Sequence, residues 1–116
     1  MDMFLNITEL AQQKIKQTHS HHPGQLVFYY ESKVGCTCGN NGIFLLKITQ
    51  QNVPELDSIL PTSLGDLPIQ GWSLPFLDEK MKLDYNESKH AFILRSDSGL
   101  INDNVLILND ENHSIF

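Results

Sequence analysis

Residues 81–86, MKLDYN, alternate without a break: Met81, Leu83 and Tyr85 are apolar, Lys82, Asp84 and Asn86 polar. A period of two puts one set of side chains on a buried face and the other in water, so this segment predicts a half-buried β-strand. The pattern continues downstream in HAFILRS (90–96) and NVLIL (104–108), with INDN (101–104) as a turn between late strands. Upstream, Pro68 to Trp72 reads as a short edge strand, and the proline-bearing, polar stretch from Gln50 to Ser63 as a long connection. Earlier still, QLVFYYES (25–32) and IFLLKIT (43–49) are rich in β-formers and flank a glycine-fenced loop. Only TELAQQKIKQT (8–18) has a helical stripe, through Leu10, Ala11 and Ile15, with Thr8 as N-cap or Asn6 and Glu9 as the alternative capping pair. The sum is a mainly β chain, a compact β-sandwich or partial barrel of about 7 short strands with one N-terminal helix.

The composition narrows the function. At 116 residues the chain predicts a single domain, 1–116, with a core that needs no staples. It has 14 acidic against 8 basic side chains, a net charge of −6, and no basic cluster, which argues against a nucleic-acid surface. The N-terminal MDMFLNITEL lacks a basic region followed by an apolar run, and the longest apolar stretches, such as IFLLKI, are only strand-length. These features predict a cytoplasmic protein without a membrane partner.

Both cysteines, Cys36 and Cys38, stand in VGCTCGNNGI (34–43). A disulfide between them would close a very small ring across roughly 6.6 Å of extended chain, near the limit of disulfide geometry. A metal is easier: tetrahedral bonds of about 2.3 Å set two thiolates roughly 4 Å apart, within reach of positions i and i+2. In a reducing compartment such a pair reads as metal-binding or redox-active. The flanking Gly35 and Gly39 suit exposed amide groups near sulfur, and equally a turn chosen for its geometry alone. Other candidates carry less. His19, His21 and His22 could bind a transition metal but follow a helix end, where histidines suit the macrodipole and solvent. His90 reads as a surface or half-buried strand residue, Asp78, Glu79 and Asp84 as a solvated face, and Trp72, Phe76 and Tyr85 as core. No phosphate loop, nucleophile elbow or His-Glu-x-x-His helix is present, and nothing requires an enzyme.

From Ser73, SLPFLDEKMKLDYNESKHAFIL resembles the second half of HesB/IscA-like proteins, where a Ser-Leu-x-Phe-Leu-Asp run precedes an Asp-aromatic strand. The upstream order of helix, strand, Gly-Cys loop and apolar strand is similar too, so the resemblance runs from about Phe4 to Leu108. It implies the mainly β fold of A-type iron-sulfur cluster assembly and carrier proteins, which are commonly dimeric. Typical members use three cysteines, one in the central loop and two in a C-terminal Cys-Gly-Cys. Cys36 matches the first; the second pair is missing, the chain ending in NDENHSIF (109–116), and Cys38 lies in the central loop instead. The chain looks closest to a branch with Cys-x-Cys in that loop followed by NGIF-like residues. If two copies bring their loops together, Cys36 and Cys38 from each give four thiolates, the usual complement of an iron-sulfur cluster. The family's three-thiol site does not carry over, only Cys36 transferring by position, but the resemblance together with the thiol count predicts a non-enzymatic protein that binds iron or an iron-sulfur cluster through Cys36 and Cys38 and meets assembly or recipient proteins, with a homodimer sharing the cluster. A thiol-redox or zinc-handling protein using the same pair, and a metal-free interaction module on the same fold, remain open.

Overall fold

The alternating segment becomes β6 (Lys80–Asn86), with Met81, Leu83 and Tyr85 buried and Lys80 and Lys82 in water. The structure is a computed structural model and describes residues 3–31, 43–111 and 113–115. Among these, nine strands form two sheets. The larger sheet has the order β5-β4-β1-β6-β7-β8, built from β1 (Phe4–Ile7), β4 (Ser58–Thr62), β5 (Gly65–Ile69), β7 (Ala91–Ser96) and β8 (Gly99–Val105) beside β6. The smaller has the order β2-β3-β9, from β2 (Gln25–Glu31), β3 (Ile43–Thr49) and β9 (Ile107–Leu108). One apolar cluster joins the two sheets to α1 (Glu9–Ser20), with Ile7, Ile15, Phe28, Leu46, Leu83 and Phe92 at its centre. The mainly β fold with a single α-helix is as the sequence predicts.

The helix begins where its cap dictates. The Thr8 hydroxyl accepts from the Ala11 amide at 3.4 Å and donates to Asp84 at 2.9 Å, tying the first turn to β6. Ala11, Ile15 and Thr18, spaced by four and three, carry its buried face. No helix among the described residues is long and apolar enough to cross a membrane.

Four expectations are corrected. Besides these, the sequence does not announce β1, which lies in the middle of the large sheet, parallel to β4 and to β6, because its four residues are too few to show a period. The connection predicted from Gln50 to Ser63 contains β4, whose Pro61 disguises it; the edge strand predicted at Pro68 to Trp72 is β5, placed earlier, and a 3-10 helix (Gly71–Phe76) follows. INDN is inside β8, and the turn falls at Asp97 and Ser98, where Ser96 pairs with Gly99 (φ 130°). Trp72 and Phe76 are not core: the 3-10 helix turns them outward, 49% and 59% exposed, whereas Tyr85 is buried as expected.

Candidate functional site

β2 and β3 pair antiparallel in unbroken register from Gln25 opposite Thr49 to Glu31 opposite Ile43. Cys36 and Cys38 lie outside the described residues, on the connection that leaves the ladder at Glu31 and re-enters it at Ile43. The chain has no other cysteine. What the structure does define is the stem of that connection and the contacts that hold it among the described residues.

Gln70 is the main clamp. Its side chain is fully buried and treats the edge of β2 as a neighbouring strand would: the Tyr30 amide donates to its Oε1 at 2.8 Å, and its Nε2 donates to the Tyr30 carbonyl at 3.0 Å. Glu55 braces the same point, accepting from Gln70 Nε2 at 3.3 Å and from the Tyr29 hydroxyl at 2.8 Å. Burial, and then the hydrogen bond and charge of Glu55, push the Tyr29 hydroxyl from 10.0 up to about 12. On the partner strand, Asn102 of β8 donates to the Phe44 carbonyl at 2.8 Å and links the two sheets. Rings complete the stem. Tyr30 packs on Phe44 at 4.6 Å between centroids, on Phe76 at 5.3 Å and edge-on against Trp72 at 5.6 Å. The connection thus springs from a stem held by the side-chain amides of Gln70 and Asn102 and packed, through Tyr30, against exposed Trp72 and Phe76.

The other candidates stand elsewhere. His19 Nε2 is 2.7 Å from the Gly24 carbonyl, and His21 caps the helix C-terminus, so this group borders the start of β2. The tail is held at the same end: Asp110 accepts from the Thr49 hydroxyl and, at 3.0 Å, from the Gln50 amide, while the Ile115 amide donates to Ile107 at 2.8 Å. Six residues of strand separate Thr49 from Ile43, about 20 Å. The described histidines His19 and His21 and the described part of the tail therefore stand at the opposite end of the ladder from the stem. Asp78 and Asp84 are structural acceptors rather than a free acidic face, the first for the Ser96 hydroxyl, the second for Thr8 and the Tyr85 amide. His90 is exposed in the β6–β7 turn with φ 52°. Among the described residues no group of three or more His, Cys, Asp or Glu converges on a point. Gln70, Glu55 and Asn102 were not singled out by sequence reasoning. Each is an ordinary polar residue whose partner lies 15 to 58 positions away.

Comparison with known proteins agrees with this architecture. A crystal structure of a candidate Fe-S biosynthesis protein from Lactobacillus salivarius, for which a novel fold was described, superposes with a TM-score of 0.76 at 17% identity, covering 92% of this chain and 98% of that one. Another candidate Fe-S biosynthesis protein, from Lactobacillus acidophilus, gives a TM-score of 0.69 at 19% identity over 94% and 91% of the two chains. In sequence, the uncharacterized protein YqkB of Bacillus subtilis (strain 168) is 26% identical over 106 residues, 91% of this chain and 98% of its own length. Residues 3–109 match the model of the iron-sulphur cluster biosynthesis family, nearly the whole chain, and the protein belongs to that family.

Proposed function

We propose that the protein binds iron or an iron-sulfur cluster through Cys36 and Cys38 and serves cluster assembly or transfer as a carrier rather than an enzyme. The observation that carries this reading is the placement of both cysteines on one connection whose two ends, Glu31 and Ile43, are paired neighbours on a clamped stem. A cluster takes four thiolates, and each chain has two, so two copies complete the set. The donor chemistry fits: thiolates are soft ligands that suit iron in clusters. Trp72 and Phe76 give the stem an apolar shoulder of the kind that a second copy, or an assembly or recipient protein, covers. A reducing, cytoplasmic setting keeps both thiols available.

Anaerobic reconstitution with iron and sulfide tests the proposal. The expected product is a coloured dimer containing iron and sulfide, with cluster and dimer lost together on dilution. Cys36→Ser and Cys38→Ser should each nearly abolish loading, the double variant being scarcely worse because the two thiols act as one unit. The apo melting temperature should barely move. A colourless metal adduct favours zinc handling, and a lowered melting temperature with unchanged metal content would make the cysteines structural.

A further inference from the structure

On the face of the large sheet turned away from the core, Lys80 and Lys82 of β6, Phe4 of β1, Ile59 of β4 and Arg95 of β7 are exposed, while Ala91 and Ile93 of β7 on that face are buried. Three of the 8 basic residues of a chain with net charge −6 gather there. Lys82 of β6 stands directly opposite Arg95 of β7, and Lys80 lies two residues along on the same face. Like charges directly opposite in an antiparallel pair destabilise a sheet. Among the described residues no ion pair relieves them. Glu79 and Asp97 line the same depression, of about 590 Å³, outside salt-bridge distance of the cations. Beside Lys80, in register, is Phe4 of β1, 43% exposed. Phe4 also lines a neighbouring apolar groove of about 870 Å³ with Ile59, Pro61, Leu74, Pro75 and Leu77, and Ile59 is 58% exposed. A cationic stripe and an apolar groove therefore meet at one ring.

We propose that this face docks an acidic segment of a partner protein, its carboxylates set over Lys80, Lys82 and Arg95 and a bulky apolar side chain lodged in the groove beside Phe4. Charge complementarity selects the occupant. A second copy joined by a two-fold axis would bring Lys82 and Arg95 toward their own counterparts and add repulsion. The chain's own acidic tail is engaged at Thr49 and Ile107. An extended anionic polymer or surface meets the field of the whole molecule, net −6, whereas a short segment meets the local balance of three cations against Glu79 and Asp97 within one Debye length, about 8–10 Å. The inference rests on β1, β4, β6, β7 and the 3-10 helix with its C-cap Leu77, and is independent of metal binding.

The test uses the full apo chain and a fluorescein-labelled peptide of alternating glutamate and leucine, followed by anisotropy at low salt. Binding should weaken at least tenfold in the Lys82→Gln/Arg95→Gln variant and in Ile59→Asp, and fade as salt rises. Amide chemical-shift changes should map to β1, β4 and β6. The double glutamine variant should also melt about 1–4 °C higher, because the opposed cations no longer repel. That rise separates a binding role from a structural one: a fall in melting temperature overturns the proposal. So does equal binding of a glutamine-leucine peptide, unchanged affinity in the variants, or equally tight binding of phosphatidylglycerol vesicles or a single-stranded oligonucleotide.

Discussion

The two ends of the β2–β3 ladder are built differently. At Gln25 and Thr49, turn and tail atoms bond one another: the Thr49 hydroxyl accepts from the Gln51 amide and donates to Asp110, Gln50 reaches the Pro23 carbonyl, and His19 meets Gly24. At Glu31 and Ile43, support comes from remote amides and from rings, two of them exposed. The first end is closed on itself; the second carries the cysteine-bearing connection and presents apolar surface. A hairpin that carries a long connection at one end gains from sealing the other, because slippage of the ladder by one residue would turn every side chain to the wrong face.

The sharpest way to break this contrast is at Gly24. Its φ is +136°, and a Cβ there would stand 2.7 Å from the Thr49 carbonyl oxygen, backbone that has no room to yield. Gly24→Ala should cost about 3 kcal/mol, a fall on the order of 10 °C in the thermal midpoint. Iron loading per folded molecule should survive, since the damage lies some six strand residues from the stem. A calorimetric scan paired with iron analysis checks both halves, and loading lost in step with stability would show that the ends are not independent.

Gln70→Leu attacks the opposite end. The Tyr30 amide and carbonyl lose their side-chain partners in a partly buried place, which costs about 1–3 kcal/mol. Here loading should suffer more than stability does, because the clamp orients the stem itself. Circular dichroism melting beside reconstituted iron content distinguishes this from a uniform loss. Should Gln70→Leu load fully, the clamp would be a structural device only.

The contrast also explains what the sequence disclosed. β6 and α1 were legible because each buries one face over several residues, which leaves a period of two at Met81, Leu83 and Tyr85 and a helical one at Ala11 and Ile15. β1 was not, its four residues being only two in and two out. β8 is a polar edge strand buried at Val105 alone, so its INDN imitates a turn. Trp72 and Phe76 misled because apolar content speaks of burial, while direction was set by a short helix containing Pro75. At the candidate site the Cys-x-Cys was visible as a spacing. Its support was not: Gln70 and Asn102 act through contacts 40 and 58 residues away, which no local pattern encodes.

The smallest expected effect belongs to the sealed end and is read through pH. Hydrogen bonds from the Thr49 hydroxyl and the Gln50 amide, helped by the charge of Lys47, hold the Asp110 carboxyl below its ordinary value of 3.8, against a slight desolvation that raises it. A carboxyl whose folded pKa is depressed stabilises the fold in its ionised form. That contribution is present above the unfolded value and disappears as pH falls through the folded one. Asp110→Asn keeps the shape but removes the charge, so it should lower the melting temperature slightly at neutral pH and by less as the pH drops below about 4, where the native side chain also becomes neutral. Melting curves of both proteins from neutral to strongly acidic pH should therefore converge at the acid end. Parallel curves would mean that Asp110 contributes through hydrogen bonding alone. Iron loading of Asp110→Asn at neutral pH should match the native chain, and a loss there would tie the tail to the cysteine-bearing end after all.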